Sequence, residues 1–122
     1  MSNDNLFDSK RELSGRDFNT LRNDLLKNIK SCCIVMFYAP WCPHCHNMIP
    51  VIKELTKDIE LYTYNIEKNK AHFGKLKRDN PNLVMGFPTL IFYKDGKPIG
   101  KYDGDRTKIK IEQAKRAACS KH

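Results

Sequence analysis

Two cysteines separated by two residues are the side chains best suited to chemistry in this 122-residue chain. Cys42 and Cys45 come soon after a continuous apolar run over residues 32–38, and they open a stretch with helical periodicity that reaches about Asp58. Amides in the first turn of a helix are unpaired and carry partial positive charge, so a sulfur placed there is favoured as the thiolate. The sequence therefore predicts a thiol–disulfide site where a buried strand leads into a helix.

The same residues fit two other kinds of site. With His46 they form the C-x-x-C-H pattern of c-type haem attachment, and His44 or His46 could join the cysteines around zinc or an iron–sulfur cluster. Haem is attached outside the cytosol, and no export signal opens the chain. Structural zinc needs four ligands, usually from two separated pairs, and the sequence has no second C-x-x-C. We therefore expect no metal and no cofactor apart from a redox-active disulfide between Cys42 and Cys45.

Size and composition indicate one ordinary domain, because 40% hydrophobic and 30% charged residues suit a single globular core. We expect this domain over residues 9–118, between a flexible N-terminal tail (1–8) and a C-terminal tail (119–122). No apolar run approaches the roughly 20 residues that span a bilayer, and the N-terminus lacks the pattern of a secretory signal. The expectation is a monomer without a membrane partner, in the cytoplasm, or in a virion or viral factory if the chain is viral.

The formal net charge of +8 is spread along the chain and is densest over residues 68–78. A solvated surface explains such a charge. Nucleic-acid binding would need a basic face with interleaved aromatic residues or a known module, and the sequence shows neither. We expect no nucleic-acid partner, whereas acidic protein substrates stay open.

Three further cysteines lie outside the motif. Cys32 and Cys33 are adjacent in the apolar run, where their side chains would point to opposite faces and a mutual disulfide would strain the backbone. We therefore expect free, packed thiols there. Cys119 is expected to be exposed in the tail, either inert or in an intermolecular bond.

Periodicity and turn signals predict alternating strands and helices. Ser14 would cap an amphipathic helix through Phe18, Leu21, Leu25, Leu26 and Ile29. Strands are predicted over residues 10–13, 32–38, 60–66, 89–93 and 98–102. A second helix is predicted over 42–58, kinked at Pro50, and a third is capped by Asn69 and ends before Asn80. The last predicted helix covers 106–118, with Ile109, Ile111 and Ala114 inward. An Asp95-Gly96 hairpin joins the last two strands. The order predicts an α/β domain with a central mixed β-sheet flanked by helices on both faces.

Three separated motifs follow one another in a fixed order. They are Phe37-Tyr38-Ala39-Pro40-Trp41-Cys42-Pro43-His44-Cys45 with Pro50, then Gly86-Phe87-Pro88-Thr89-Leu90, then Lys94-Asp95-Gly96-Lys97-Pro98 followed by Tyr102-Asp103-Gly104-Asp105-Arg106. In types and spacing they resemble the thioredoxin superfamily, closest to the thioredoxin domains of protein disulfide isomerases. The resemblance covers about residues 8–118 and implies the thioredoxin fold.

The resemblance also implies a role for each matched residue. Cys42 would attack as the thiolate and Cys45 would resolve the mixed disulfide, while Arg106 would approach Cys45 and lower its pKa. Pro88 would follow a cis peptide bond and face the dithiol. The substrate would contact Trp41 and pair with the backbone of Met85, Gly86 and Phe87.

Two positions depart from the family pattern. A buried acid that relays the proton of the resolving thiol usually stands six residues before the first cysteine, where this chain has Met36. His46, Arg106 or water would have to serve instead. The inner pair Pro43-His44 matches the periplasmic DsbA-type oxidants, and His44 can stabilise a Cys42 thiolate. Because a stabilised thiolate favours the reduced form, we expect a dithiol more oxidising than that of thioredoxin, whose potential is about −270 mV.

Two functions follow from this sequence. The first is a thiol–disulfide oxidoreductase that exchanges disulfides with protein substrates and is recycled by a reductase or a thiol oxidase. The second is a redox-slow, thioredoxin-fold peptide-binding or chaperone module, because Met36 replaces the acid. The direction of exchange stays open.

Overall fold

A five-stranded mixed sheet organises the computed structural model, which describes residues 4–19, 24–25 and 31–121. Its strands are β1 (Glu12–Leu13), β4 (Cys33–Tyr38), β5 (Leu61–Asn65), β6 (Thr89–Lys94) and β7 (Lys97–Lys101). The spatial order is β1-β5-β4-β6-β7, parallel across β1, β5 and β4 and antiparallel from β4 through β6 to β7. The helices are α1 (Pro43–Asn47), α2 (Ile49–Leu55), α3 (Lys70–Asp79) and α4 (Lys108–Lys121).

Strand β4 occupies the centre of the sheet because its side chains are apolar on both faces. All six of its residues are buried. Phe37 lies opposite Tyr64 of β5 on one face, with ring centroids 4.9 Å apart, and Met36 lies opposite Thr63 on the other. Such a strand is stable only when helices cover both faces. The prediction of a central mixed sheet between helices is confirmed.

The helix that follows β4 is broken at Met48, as the position of Pro50 predicts. Pro50 has no N–H to donate to the carbonyl four residues earlier. The Met48 N–H donates to the Cys45 carbonyl (3.1 Å), and α2 restarts with the Ile52 N–H on the Met48 carbonyl (2.8 Å). The break leaves α1 as a short, separate helix that carries the dithiol.

The helix predicted after Ser14 is wrong in the described residues. Gly15–Asp17 is a single 3-10 turn, and β2 (Phe18–Asn19) pairs antiparallel with β3 (Asp24–Leu25) in a separate two-stranded sheet. Phe18 is buried against Phe37. Asn, Thr and Asp at residues 19, 20, 23 and 24 are weak helix formers, so the core contact outweighs the helical pattern. Leu21, Leu26 and Ile29 lie outside the described residues.

Both predicted tails are partly wrong. Leu6 and Phe7 pack against the core, and the ring of Phe7 lies edge-on to that of Tyr38 with centroids 4.9 Å apart. Helix α4 continues through residues 119–121 of the predicted C-terminal tail. On α4 the side chain of Ile109 is 68% exposed rather than inward, whereas Ile111 is fully buried.

Cys32 and Cys119 form a disulfide, which corrects the expectation of a free Cys32 thiol and an exposed Cys119. Their Cα atoms are 5.9 Å apart across a sequence separation of 87 residues. The bond joins the residue just before β4 to the last turn of α4. Cys33 keeps a free, buried thiol, as expected.

The hairpin between β6 and β7 has the predicted turn. Asp95 and Gly96 have φ angles of 52° and 82°, the left-handed pair that two-residue hairpin turns require. The turn fixes the register of β7 on β6, and β6 is the strand that begins at the candidate site.

Candidate dithiol site

The geometry of α1 places both motif cysteines within one helical turn. Cys42 caps the helix with an extended backbone, and its N–H donates to the Ala39 carbonyl (3.1 Å). Pro43 occupies the first helical position, where its fixed φ suits the helix and no amide donor is left unpaired. The Cys45 N–H then donates to the Cys42 carbonyl (3.1 Å). The local sequence therefore fixes the spacing of the two sulfurs.

The two thiols differ in exposure. Cys42 is 7% exposed and Cys45 is fully buried, and both are free. Burial raises the pKa of the Cys45 thiol to about 12. The Ala39 backbone and the charge of Arg106 act to lower this pKa, whereas Cys42 acts to raise it further. At neutral pH Cys45 is therefore a protonated thiol behind a slightly accessible Cys42.

The loop before β6 lies against Cys42. The Phe87–Pro88 peptide bond is cis, as the resemblance implies, and the Cys42 thiol donates to the Phe87 carbonyl at 3.6 Å. Pro88 is buried, Gly86 is exposed, and the Met85 side chain is 71% exposed. In the described part of the chain, the hydrogen bonds around this loop leave the backbone of Met85 unengaged. The structure thus brings residues 85–88 to the dithiol.

Trp41 is held beside this loop by a residue that sequence reasoning missed. Its indole Nε1–H donates to Oε1 of Glu67 (2.8 Å), and this hydrogen bond holds the pKa of Glu67 below its usual value. Glu67 also pairs with Lys70 at 3.3 Å. The Trp41 ring is 42% exposed and perpendicular to that of Phe87, with centroids 6.4 Å apart. The predicted topology could have indicated Glu67. Strand β5 runs parallel to β4, so the residues that follow the two strands lie at the same edge of the sheet.

The remaining predicted residues lie around the motif. His44 and Arg106 are exposed, and Arg106 is placed where its charge acts on Cys45. Nε2 of His46 donates to the Pro40 carbonyl oxygen at 2.5 Å, so this ring nitrogen is engaged. Met36 is fully buried and offers no proton-transfer group.

A carboxyl group that the sequence analysis did not single out lies in the same sheet. Glu12 on β1 is in register with Thr63 on β5, which is in register with Met36 on β4. Oε1 of Glu12 accepts hydrogen bonds from Tyr38 Oη (2.6 Å) and Thr63 Oγ1 (2.7 Å), and burial raises the pKa of this carboxyl. The acid therefore lies two strands away from the position that the family pattern would give it.

A metal site requires converging ligands, and a membrane span requires a long apolar helix. Across residues 4–19, 24–25 and 31–121, no three His, Cys, Asp or Glu side chains converge as metal ligands would. Within the same residues, each helix is too short or too polar to cross a membrane.

A dithiol at the start of a helix, reached from the central strand of a mixed sheet and faced by a cis-proline loop, defines a thioredoxin-fold domain. The chain belongs to the thioredoxin family, whose model matches residues 12–117.

Individual relatives agree with this assignment. Protein disulfide-isomerase 1 of Caenorhabditis elegans is 36% identical over 85 residues, which are 64% of this chain and 16% of that protein. Protein disulfide-isomerase A5 of Mus musculus is 36% identical over 91 residues, which are 70% of this chain and 17% of that protein. The X-ray structure of Fasciola hepatica thioredoxin superimposes with a TM-score of 0.59 at 25% identity, covering 76% of this chain and 86% of that one. The chain spans about one sixth of the length of these two isomerases.

Proposed function

We propose that the domain is a thiol–disulfide oxidoreductase that exchanges disulfides with protein substrates. The Cys42 thiolate attacks one sulfur of a substrate disulfide, forming a mixed disulfide and releasing the other sulfur, which takes up a proton. Cys45 then loses its proton and attacks the Cys42 sulfur, which closes the Cys42 to Cys45 disulfide and releases the second substrate thiol. Two electrons pass from the dithiol to the substrate, and the reverse sequence oxidises a substrate dithiol.

The observation that carries this proposal is the asymmetry of the two thiols within one turn. Cys42, which is 7% exposed, is the thiol that a substrate sulfur can approach, whereas Cys45 is fully buried. Its pKa of about 12 keeps Cys45 protonated until the mixed disulfide forms, which favours attack by Cys42 first. No cofactor is needed beyond the disulfide, but a reductase or a thiol oxidase must reset the dithiol.

The neighbouring residues supply binding and tuning. Trp41, Phe87 and the exposed Met85 would offer apolar contact to a substrate, and the backbone of residues 85–87 would pair with an extended substrate segment. Pro43, His44 and Arg106 would set the relative stability of thiolate and disulfide.

We further propose a potential above that of thioredoxin, which is about −270 mV. The basis of this proposal is the Pro43-His44 pair between the cysteines, because a stabilised thiolate favours the reduced form. Equilibration with defined ratios of reduced and oxidised glutathione measures this potential, and a value at or below that of thioredoxin contradicts the proposal.

Buried Met36 favours a second candidate, a module that binds extended peptides with slow turnover. Insulin reduction separates the two functions. The oxidoreductase loses activity with both Cys42→Ser and Cys45→Ser, and Cys45→Ala accumulates mixed disulfides that reveal the substrates. Wild-type turnover at background, with binding of unfolded client protein unchanged in both serine variants, supports the module.

A further inference from the structure

Two lysines hold the loop that faces the dithiol. Nζ of Lys77 on α3 donates to the Val84 carbonyl at 2.7 Å, and Nζ of Lys101 on β7 donates to the Asn82 carbonyl. A carbonyl accepts the hydrogen bond but does not neutralise the ammonium charge. Both side chains belong to exposed residues, so two positive charges border the loop.

These charges lack ionic partners. Within the described chain, neither Lys77 nor Lys101 forms an ion pair, whereas nearby Lys70 pairs with Glu67 and Arg78 pairs with Asp79. Glu67 is further engaged by the indole of Trp41.

Arg106 adds a third positive charge on the Cys45 side of the site. The carboxylates that flank it in sequence, Asp103 and Asp105, act on the Tyr102 hydroxyl. The side chains next to the loop therefore carry a net positive charge at Lys77 and Lys101. The net charge around Arg106 is smaller, because carboxylates lie near it in sequence.

The position of the lysines determines which residue of a bound substrate would lie near their ammonium groups. The Phe87 carbonyl accepts a hydrogen bond from the Cys42 thiol, and the buried Val84 lies three residues earlier in the loop, with the exposed Met85 and Gly86 between them. Three residues span at most about 10 Å, so Val84, whose carbonyl accepts from Lys77, lies within about 10 Å of Phe87. A substrate strand paired with the loop would present there a side chain two to four residues from its own cysteine.

We propose that the site selects extended peptides with an acidic side chain two to four residues from the reacting cysteine. This inference rests on the proposed function and names its substrate class. Lys77 and Lys101 act as specificity residues through the substrate side chain, separately from the exchange chemistry at Cys42. Exposed charge pairs change affinity by about 2- to 5-fold each, so the two lysines together give about a 10-fold preference for acid over base in kcat/KM.

The test uses disulfide-linked homodimers of a nine-residue peptide with a central cysteine. Asp, Ser or Lys is placed three residues to the N-terminal or the C-terminal side, and reduction by the 122-residue protein is followed by chromatography. Rates with dithiothreitol, a neutral reductant, correct for the intrinsic reactivity of each peptide. Lys77→Met and Lys101→Met keep the apolar stem and remove the charge. Lys94→Met is the matched control, because Nζ of Lys94 also donates to a carbonyl, that of Cys119, at the opposite end of β6 from the loop.

We expect the Asp peptide to exceed the Lys peptide by about 10-fold at low salt. The preference should fall toward unity in 1 M NaCl, where the screening length is about 3 Å, and it should drop by about 2- to 5-fold in each loop variant while persisting in Lys94→Met. Equal rates for Asp and Lys peptides, or a preference that survives in the double loop variant, overturn the inference. Reduction of the Ser peptide that requires Cys42 keeps the proposed function in that case, whereas its absence removes both.

Discussion

Two cysteine pairs lie at opposite ends of β4, and the structure treats them in opposite ways. Before the strand, Cys32 is bonded to Cys119 of α4 across a sequence separation of 87 residues. After the strand, Cys42 and Cys45 are two residues apart in one turn of α1 and remain free. The first pair is an actual cross-link between distant elements. The second is a dithiol whose local geometry would let a disulfide form and break reversibly.

The contrast shows that sequence separation and position on a helix determine what a cysteine pair can do. A bond across a long chain segment constrains the unfolded state strongly, whereas one across two intervening residues constrains it little. Cys42 lies at a helix start, where a thiolate is favoured, and Cys119 lies in a last helical turn, where it is disfavoured. The two pairs are therefore suited to exchange and to stabilisation, respectively.

The largest expected effect is on exchange activity. Cys42→Ser should lower the rate of insulin reduction by about 1,000-fold or more, because a hydroxyl cannot form the mixed disulfide. The double variant Cys32→Ala/Cys119→Ala, assayed at 25 °C, should stay within about twofold of the wild type. A loss in the double variant comparable with that of Cys42→Ser would break the distinction between the two pairs.

The free energy of unfolding should depend mainly on the Cys32 to Cys119 disulfide rather than on the dithiol. Removing the disulfide in Cys32→Ala/Cys119→Ala should lower the free energy of unfolding by about 2–5 kcal/mol, since the unfolded chain loses a long cross-link. Urea denaturation monitored by circular dichroism measures the change. Both cysteines are replaced together so that no unpaired thiol remains to mispair. Unchanged stability would mean that the bond does not constrain the chain in solution.

The same contrast explains which features the sequence could predict. The dithiol, the Pro50 break and the Asp95-Gly96 turn depend on neighbours within a few residues, so local chemistry specifies them. The bond between Cys32 and Cys119 depends on how α4 packs beside the sheet, which no local pattern encodes. The position of Glu67 beside Trp41 also depends on sheet topology, because β4 and β5 must run parallel to bring their ends together. The helix predicted after Ser14 failed because tertiary burial of Phe18 outweighed periodicity.

The monomeric state and the cytoplasmic location stay predictions. So do the catalytic, tuning and substrate-binding roles of the motif residues, since the structure gives their positions and not their reactions.

Two buried thiols, one beside the disulfide and one within the dithiol, give stability a smaller dependence on pH. Burial raises the pKa of both Cys33 and Cys45 from 9.0 to about 12, so in the unfolded chain each thiol ionises first. Stability is therefore complete below about pH 9 and falls as the pH rises toward 12. At pH 10, one unit above the pKa of the unfolded thiol, the loss is about 1 kcal/mol for each thiol.

Denaturation at pH 8 and pH 10 measures this loss. Cys33→Ala should remove one share of it, together with the small effect of the Cys33 charge on Tyr62, and oxidation of the Cys42 and Cys45 thiols to a disulfide should remove the other. An alkaline loss of stability that neither change reduces would contradict the assignment to these thiols.

The smallest expected effect is on kcat/KM and involves Trp41. This residue is the single tryptophan of the chain and follows β4 at the dithiol end. Glu67→Ala removes the acceptor of its indole hydrogen bond, so the ring should become more mobile and kcat/KM for a protein substrate should fall by about 3- to 10-fold, mainly through KM. Glu67→Gln keeps an acceptor oxygen and should recover most of the loss. Glu54→Ala is the matched control, because Glu54 also pairs with a lysine three residues away but does not contact the indole.

Fluorescence of Trp41 links this effect to the two cysteine pairs. Oxidation of Cys42 and Cys45 to a disulfide, and its reduction, should change the emission in the wild type. Loss of the disulfide between Cys32 and Cys119 at the far end of β4 should not. Glu67→Ala should shift the emission and weaken its response to the dithiol, since the ring no longer holds one position beside Phe87. An emission that follows the Cys32 to Cys119 bond instead would show that β4 transmits redox changes from one end to the other, and the two pairs would then be coupled rather than independent.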